Sequence, residues 1–154
     1  MTTTTDRAWR TAGPGDAGPL RDLERAANLV GLAHVFPAER FPFPDDAVLA
    51  RWALVLDDPE VVVEVVEDEL GLVALVAHDG STLRHLAVRP DHWGAGLGRE
   101  AFARAEAAGA RRLWVLEANE RARRLYESLG WRPSGTTQEC PWRPYPTEVE
   151  YAAP

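Results

Sequence analysis

Between His85 and Phe102 the chain reads HLAVRPDHWGAGLGREAF, with glycines at Gly94, Gly96 and Gly98 and Arg99 directly after the last. An apolar, strand-like stretch precedes them and a helical pattern follows. The first turn of a helix carries N–H groups without partners and roughly half a positive charge. Glycines in front of it let an anion approach the backbone closely. Gly94, Ala95, Gly96, Leu97, Gly98 and Arg99 therefore form a candidate anion cradle, to which Arg99 adds a fixed charge. A tight turn that holds nothing is the alternative, and three alternating glycines weigh against it.

Two nucleotide-binding patterns compete for this segment. Gly96-Leu97-Gly98-Arg99-Glu100-Ala101 satisfies the dinucleotide fingerprint, and Glu117 stands at the spacing of an acid that would bind a ribose hydroxyl. Pro90 to Ala95, however, separate these glycines from their strand. A dinucleotide fold also opens with this unit, whereas here a long hairpin-like region comes first. A Walker phosphate loop is excluded, because all 17 basic residues are arginine and the chain has no lysine. The same absence removes Schiff-base chemistry on lysine.

The segment instead resembles the central signature of the GNAT (Gcn5-related) N-acetyltransferases. In that family a strand, a proline and an R/Q-x-x-G-x-G/A run lead into a helix, whose amides hold the pyrophosphate of acetyl-coenzyme A. Here the run is Leu86-Ala87-Val88-Arg89-Pro90 through Trp93-Gly94-Ala95-Gly96-Leu97-Gly98-Arg99, with Trp93 standing where Arg or Gln is usual. A second stretch, NERARRLYESLGW from Asn119 to Trp131, is similar to the family's next motif, N-x-x-A-x-x-(F/L)-Y-x-x-x-G-(F/W). The resemblance is strong over Leu83 to Trp131.

The resemblance implies an acetyl-CoA-dependent N-acetyltransferase that moves the acetyl group directly to a primary amine of a small molecule or peptide. It implies that Leu86, Ala87 and Val88 pair with the pantetheine arm and that the Val88 amide polarises the thioester carbonyl. Gly94 to Arg99 would hold the pyrophosphate. Asn119 would be both helix cap and cofactor ligand, and Tyr126 would contact the cofactor and act as the acid for the leaving thiolate. An alkylamine with a pKa near ~10 must also lose a proton before it attacks. Relatives use a Glu or His on the strand before Leu86; by alternation those positions are Thr82 and Arg84, and neither can serve. His85 is expected on the opposite face. Glu117 is carried as the candidate base, with His34, Glu39 and Glu139 on candidate pocket walls. The acceptor site is expected between HVFPAERFPFP and TQECPWRPYP, for a small amine with an apolar part. A non-catalytic acyl-CoA-binding module of the same fold is the alternative function; the missing strand carboxylate favours it and Tyr126 opposes it. A homodimer is an expectation from the family alone.

These residues need a frame, and 154 residues supply one domain with a core of its own. A net charge of −7 argues against a nucleic-acid partner. Cys140 stands alone, so no internal disulfide and no multi-cysteine metal site is expected. No signal peptide or long apolar run is evident, which points to a cytoplasmic protein without a membrane partner. Residues 1–6 read as a flexible tail.

AWRTA reads as a short strand. Asp16 is expected to cap a helix through Leu20, Leu23, Ala27 and Leu29, and Asp45 or Asp46 a second helix with Val48, Leu49, Trp52 and Leu56 at helical spacing. EVVVEVVE, GLVALVAH and TLRHLAV form a meander. A helix over Gly98–Ala108, a strand in RRLWVLEA and a helix from Asn119 to Gly130 follow. Two more strands are expected near Thr136–Glu139 and Thr147–Tyr151. The order βααβββαβαββ predicts an α/β (α+β) fold: one mixed, mainly antiparallel sheet of six or seven strands with helices on both faces.

Overall fold

The computed structural model describes residues 8–154; the tail expected over 1–6 lies outside them. The meander forms as β2 (Val62–Asp68), β3 (Gly71–His78) and β4 (Thr82–Val88), all antiparallel. β1 (Arg10–Thr11) pairs with the outer edge of β2. β5 (Arg112–Leu116) joins β4 in parallel, and β7 (Thr147–Ala152) and β6 (Arg132–Glu139) follow it antiparallel. The result is a seven-stranded open sheet in the order β1-β2-β3-β4-β5-β7-β6. Its helices are α1 (Ala17–Gly31), α2 (Asp45–Asp57), α3 (Leu97–Ala107) and α4 (Glu120–Ser128). The observed element order is the one the sequence predicts.

Both faces of the sheet are covered. Leu20 and Leu23 of α1 with Val48 and Trp52 of α2 pack on Val63, Val65, Leu75 and Ala77. On the other face Ala101, Phe102 and Ala105 of α3, with Tyr126 and Trp131, pack on Val76, Leu83, Leu113 and Val115. The central strand β3 is therefore buried almost throughout, as a strand covered on two sides must be.

The parallel pairing of β4 with β5 is limited to Thr82 opposite Arg112 and Leu83 opposite Leu113. Beyond these pairs β4 stays with β3 and β5 with β7. The sheet splits into a V, and the β5-facing edge of Leu86–Val88 is left without a strand. The Arg89 N–H donates to the Val73 carbonyl at 2.7 Å. Antiparallel alternation then turns the N–H and C=O of Val88 away from β3, into the cleft.

Four local expectations are corrected. Asp16 does not cap α1 with its side chain; it accepts from the Gly13 N–H and pairs with Arg10. Asp45 and Asp46 lie inside the first turn of α2, whose cap position is Pro44, and Asp45 pairs with Arg25. β6 begins at Arg132 rather than near Thr136, because an irregularity between Pro133 and Thr137 absorbs two extra residues. An outer strand tolerates such a bulge and its proline.

The fourth correction concerns His85. Ala77 pairs with His85 but His78 pairs with Leu83, so Arg84 is an extra residue in β4. This bulge reverses the side-chain alternation. Leu83 faces α3, and His85 turns toward α2, where its ring lies 4.9 Å from that of Trp52. Arg84 pairs outside with Asp79. His85 is thus on the face that sequence alternation assigned to Thr82 and Arg84.

Burial, with Arg51 and Arg84 nearby, pushes the His85 pKa from 6.5 down to about 3. Between those values the unfolded chain binds a proton that the folded chain refuses, so stability falls as pH drops through that window. His85→Gln is expected to flatten the decline of urea-unfolding stability between pH 7 and about pH 4. An unaltered decline would show that the ring does not control it.

Candidate functional site

The V between β4 and β5 opens into a groove of about 490 Å³. One wall is β4, through Leu86, Ala87 and Val88. The floor and far wall are Gly94, Gly96, Leu97, Gly98 and Arg99 at the head of α3, with Asn119 and Tyr126 from α4. The remaining wall is α1, through Ala27, Asn28, Gly31 and Leu32. Of the residues singled out for cofactor binding, only Ala95 is not among the lining groups.

The glycines have distinct local reasons. Gly94 and Gly96 adopt φ of +85° and +84°, the left-handed region that favours glycine. A Cβ on either would meet no protein atom within 4 Å, so packing does not demand a bare backbone there. Gly98 is different: its Cβ would lie 3.4 Å from Leu125, which sets how closely α4 approaches. Gly96 is the cap position of α3 and has no side chain to offer. The N–H groups of Leu97, Gly98 and Arg99 thus start the helix uncapped, as an anion requires.

Asn119 caps α4: its Oδ1 accepts from the Ala122 N–H at 3.2 Å. The cap fixes the phase of a short helix, and Ala122, Leu125, Tyr126 and Leu129 fall on its inner face. The Tyr126 ring packs against Phe102 and Tyr151. Its hydroxyl has no hydrogen-bond partner among the described residues, and burial pushes its pKa up to about 12. Arg121 reaches the groove, whereas Arg123 is held by the Tyr151 hydroxyl and the Glu117 carbonyl.

Trp93, the departure from the pattern, bridges three walls. Its Nε1–H donates to the Val88 carbonyl at 2.7 Å. The Arg121 guanidinium lies 3.8 Å from its ring centroid. Its ring edge approaches to 3.4 Å from where a Gly31 Cβ would stand. The indole thus occupies one of the two polar groups that Val88 turns into the cleft.

A second cavity, of about 350 Å³, lies on the α1/α2 side. Its walls come from the two segments expected to flank an acceptor: Phe36, Arg40, Phe41, Pro42, Phe43 and Pro44 from one, Pro141, Trp142 and Arg143 from the other. Glu24, Leu29, Val48 and Arg51 complete it, and Asn28 lines both this cavity and the groove. Asn28 and Arg51 escaped sequence reasoning because each reads as a polar position on an amphipathic helix.

The acids and bases carried from the sequence are not gathered here. Glu117 is exposed at the end of β5, outside both cavities. Glu39 and Glu139 are exposed and line neither. His34 places its Nε2 2.8 Å from the Ala118 carbonyl, tying the loop after α1 to the start of α4. Among the described residues no helix is long and apolar enough to cross a membrane.

A family model for the acetyltransferase (GNAT) domain matches residues 54–133, just over half of the 154. No curated protein matches the chain by sequence. Solved structures share its fold. The PaiA N-acetyltransferase of Thermoplasma acidophilum, in complex with coenzyme A, is 13% identical with a TM-score of 0.69, over 95% of this chain and 98% of that one. YjaB from Escherichia coli, in its apo form, is 18% identical at a TM-score of 0.73, over 94% and 95%. A spermidine N-acetyltransferase chimera of the Vibrio cholerae SpeG and hSSAT proteins is 20% identical at 0.65, over 97% and 95%.

Proposed function

Because the chain belongs to the GNAT acetyltransferase family, we propose that it transfers the acetyl group of acetyl-coenzyme A directly to a primary amine. The observation that carries this reading is the V between β4 and β5, whose groove collects a strand edge without a partner strand, an uncapped glycine-bearing helix start and Tyr126. Structures with the same fold, one an N-acetyltransferase in complex with coenzyme A and one a spermidine N-acetyltransferase, support it.

When bound, the thioester supplies the activated acyl group. The amides of Leu97, Gly98 and Arg99 are suited to the pyrophosphate, with Arg99 and Arg121 as flanking charges. The Val88 N–H, turned into the cleft, can donate to a carbonyl oxygen where negative charge develops. The Tyr126 hydroxyl faces the same groove and carries its proton at every working pH. The acceptor enters through the second cavity and meets the groove at Asn28. Glu117 lies outside both cavities, and His85 is half-buried against the Trp52 ring with its pKa held down, so amine deprotonation is assigned to water or to solution.

Calorimetry with acetyl-CoA and with NAD, followed by release of free thiol on a panel of amines, tests the reading. Acetyl-CoA is expected to bind, NAD not, and at least one amine to release thiol. Binding without turnover on a broad panel would instead indicate a non-catalytic acyl-CoA-binding module.

Trp93 gives a separate prediction. Pairing at the Val88 carbonyl requires the indole to let go, at a net cost of about 1 kcal/mol. Trp93→Phe keeps an aromatic ring and removes the donor. It is expected to tighten acetyl-CoA binding about fivefold by calorimetry. Weaker binding would make the indole a wall of the site rather than a competitor for it.

A further inference from the structure

We infer that the acceptor is an apolar amino acid, its carboxylate held by Arg51 and its side chain seated among the phenylalanines of the second cavity. The inference rests on the acetyltransferase reading and narrows it. The cavity wall combines Phe36, Phe41, Phe43 and Trp142 with three arginines, Arg40, Arg51 and Arg143, and a single acid, Glu24. A wall of this charge repels a polyamine, although one fold relative is a spermidine N-acetyltransferase.

The acid has no attraction to spare. Both Glu24 oxygens accept from Arg51 Nη2, at 2.9 and 2.6 Å, and Oε2 also accepts from Trp52 Nε1 at 3.2 Å. Arg51 is the opposite case. Its side chain is 25% exposed, its Nε is buried without a partner, and Nη1 makes no hydrogen bond among the described residues. Nε is sealed from the cavity and Nη2 is committed to Glu24, so Nη1 is the donor left for a ligand, and a carboxylate is the acceptor that complements a guanidinium. Trp52 supports it from below, with the Arg51 Cζ 5.0 Å from the ring.

The size fits one residue. A cavity of about 350 Å³ is at the small end of ligand sites. Glu24, which positions Arg51, and Asn28, at the mouth shared with the groove, are one helical turn apart on α1, or ~5 Å. A molecule seated in the cavity can turn its carboxylate toward Arg51 and its amine toward the mouth at Asn28. The transfer forms an N–C amide bond and breaks the C–S thioester bond; the amine loses one proton and the leaving sulfur gains one.

The test compares L-phenylalanine, L-phenylalaninamide and spermidine as acceptors, read as thiol release, with direct calorimetry of each acceptor. The free acid is expected to exceed the other two in kcat/KM by about tenfold or more, because the amide lacks the charge that Arg51 would bind. Arg51→Gln is expected to abolish that preference through KM. Should that variant fold poorly with Glu24 unpaired, the Glu24→Gln, Arg51→Gln double variant removes both charges together. Preference for the amide or for spermidine would overturn the inference and leave the acetyltransferase reading standing. So would a preference for the acid that survives both variants. If acetyl-CoA binds but no amine reacts, failure of L-phenylalanine to bind by calorimetry also overturns it. Absence of acetyl-CoA binding overturns the activity itself.

Discussion

Tyr126→Phe is expected to lower kcat by about 10²-fold while leaving acetyl-CoA affinity within about twofold. The ring stays, and with it the packing on Phe102 and Tyr151; only a hydroxyl without a protein partner is lost. The size of the effect depends on what that hydroxyl does. Burial pushes its pKa up to about 12, whereas a leaving thiol titrates near ~8.5. A phenol raised in this way is a weaker acid than the thiol whose thiolate it would protonate. The contribution expected of it is a hydrogen bond to charge developing on sulfur, worth about as much as one oxyanion donor. The pH dependence follows with its sign. The raised pKa keeps the phenol protonated, so no alkaline loss of kcat from Tyr126 is expected below about pH 11. Its contribution to stability is complete below the unfolded value near ~10 and is lost as pH rises through the folded one. An unchanged kcat in the variant would remove Tyr126 from the chemistry.

The element order was legible because each signal is local. The runs in EVVVEVVE and GLVALVAH, the proline after Val88 and the asparagine before the last helix all act within a few residues, and the structure follows them. What escaped depends on partners distant in sequence. The bulge at Arg84 leaves no mark in TLRHLAV; it exists because β3 and β4 pair one residue out of step at His78, and it sends His85 to the other face. Asp16 and Asp45 look like caps, yet Arg10 and Arg25 claim them. Leu86 to Val88, Gly94, Gly96 to Arg99, Asn119 and Tyr126 line one groove, whereas Ala95 and Glu117 do not. The second cavity lies between the two Pro-rich, aromatic segments, but its charge could not be read from them, because Arg51 and Glu24 come from α2 and α1.

Gly96→Val is expected to reduce acetyl-CoA affinity by about 10²-fold or more, since contacts between amides and a charged phosphate are each worth about 1.5–3 kcal/mol. The difficulty in reading such a variant is that it also strains the chain. At φ +84° a side chain costs about 1–2 kcal/mol, and lost stability alone can mimic lost binding. Gly135 provides the control. It too has a left-handed φ, +96°, and a Cβ there meets nothing within 4 Å, but it sits on β6 and lines neither cavity. Gly135→Val should therefore lower the thermal midpoint about as much as Gly96→Val and leave acetyl-CoA affinity unchanged. Equal losses of affinity in the two variants would mean that Gly96 serves only the fold. A loss confined to Gly96 would mean that the empty space above it, which no protein atom fills, is where the phosphate must come.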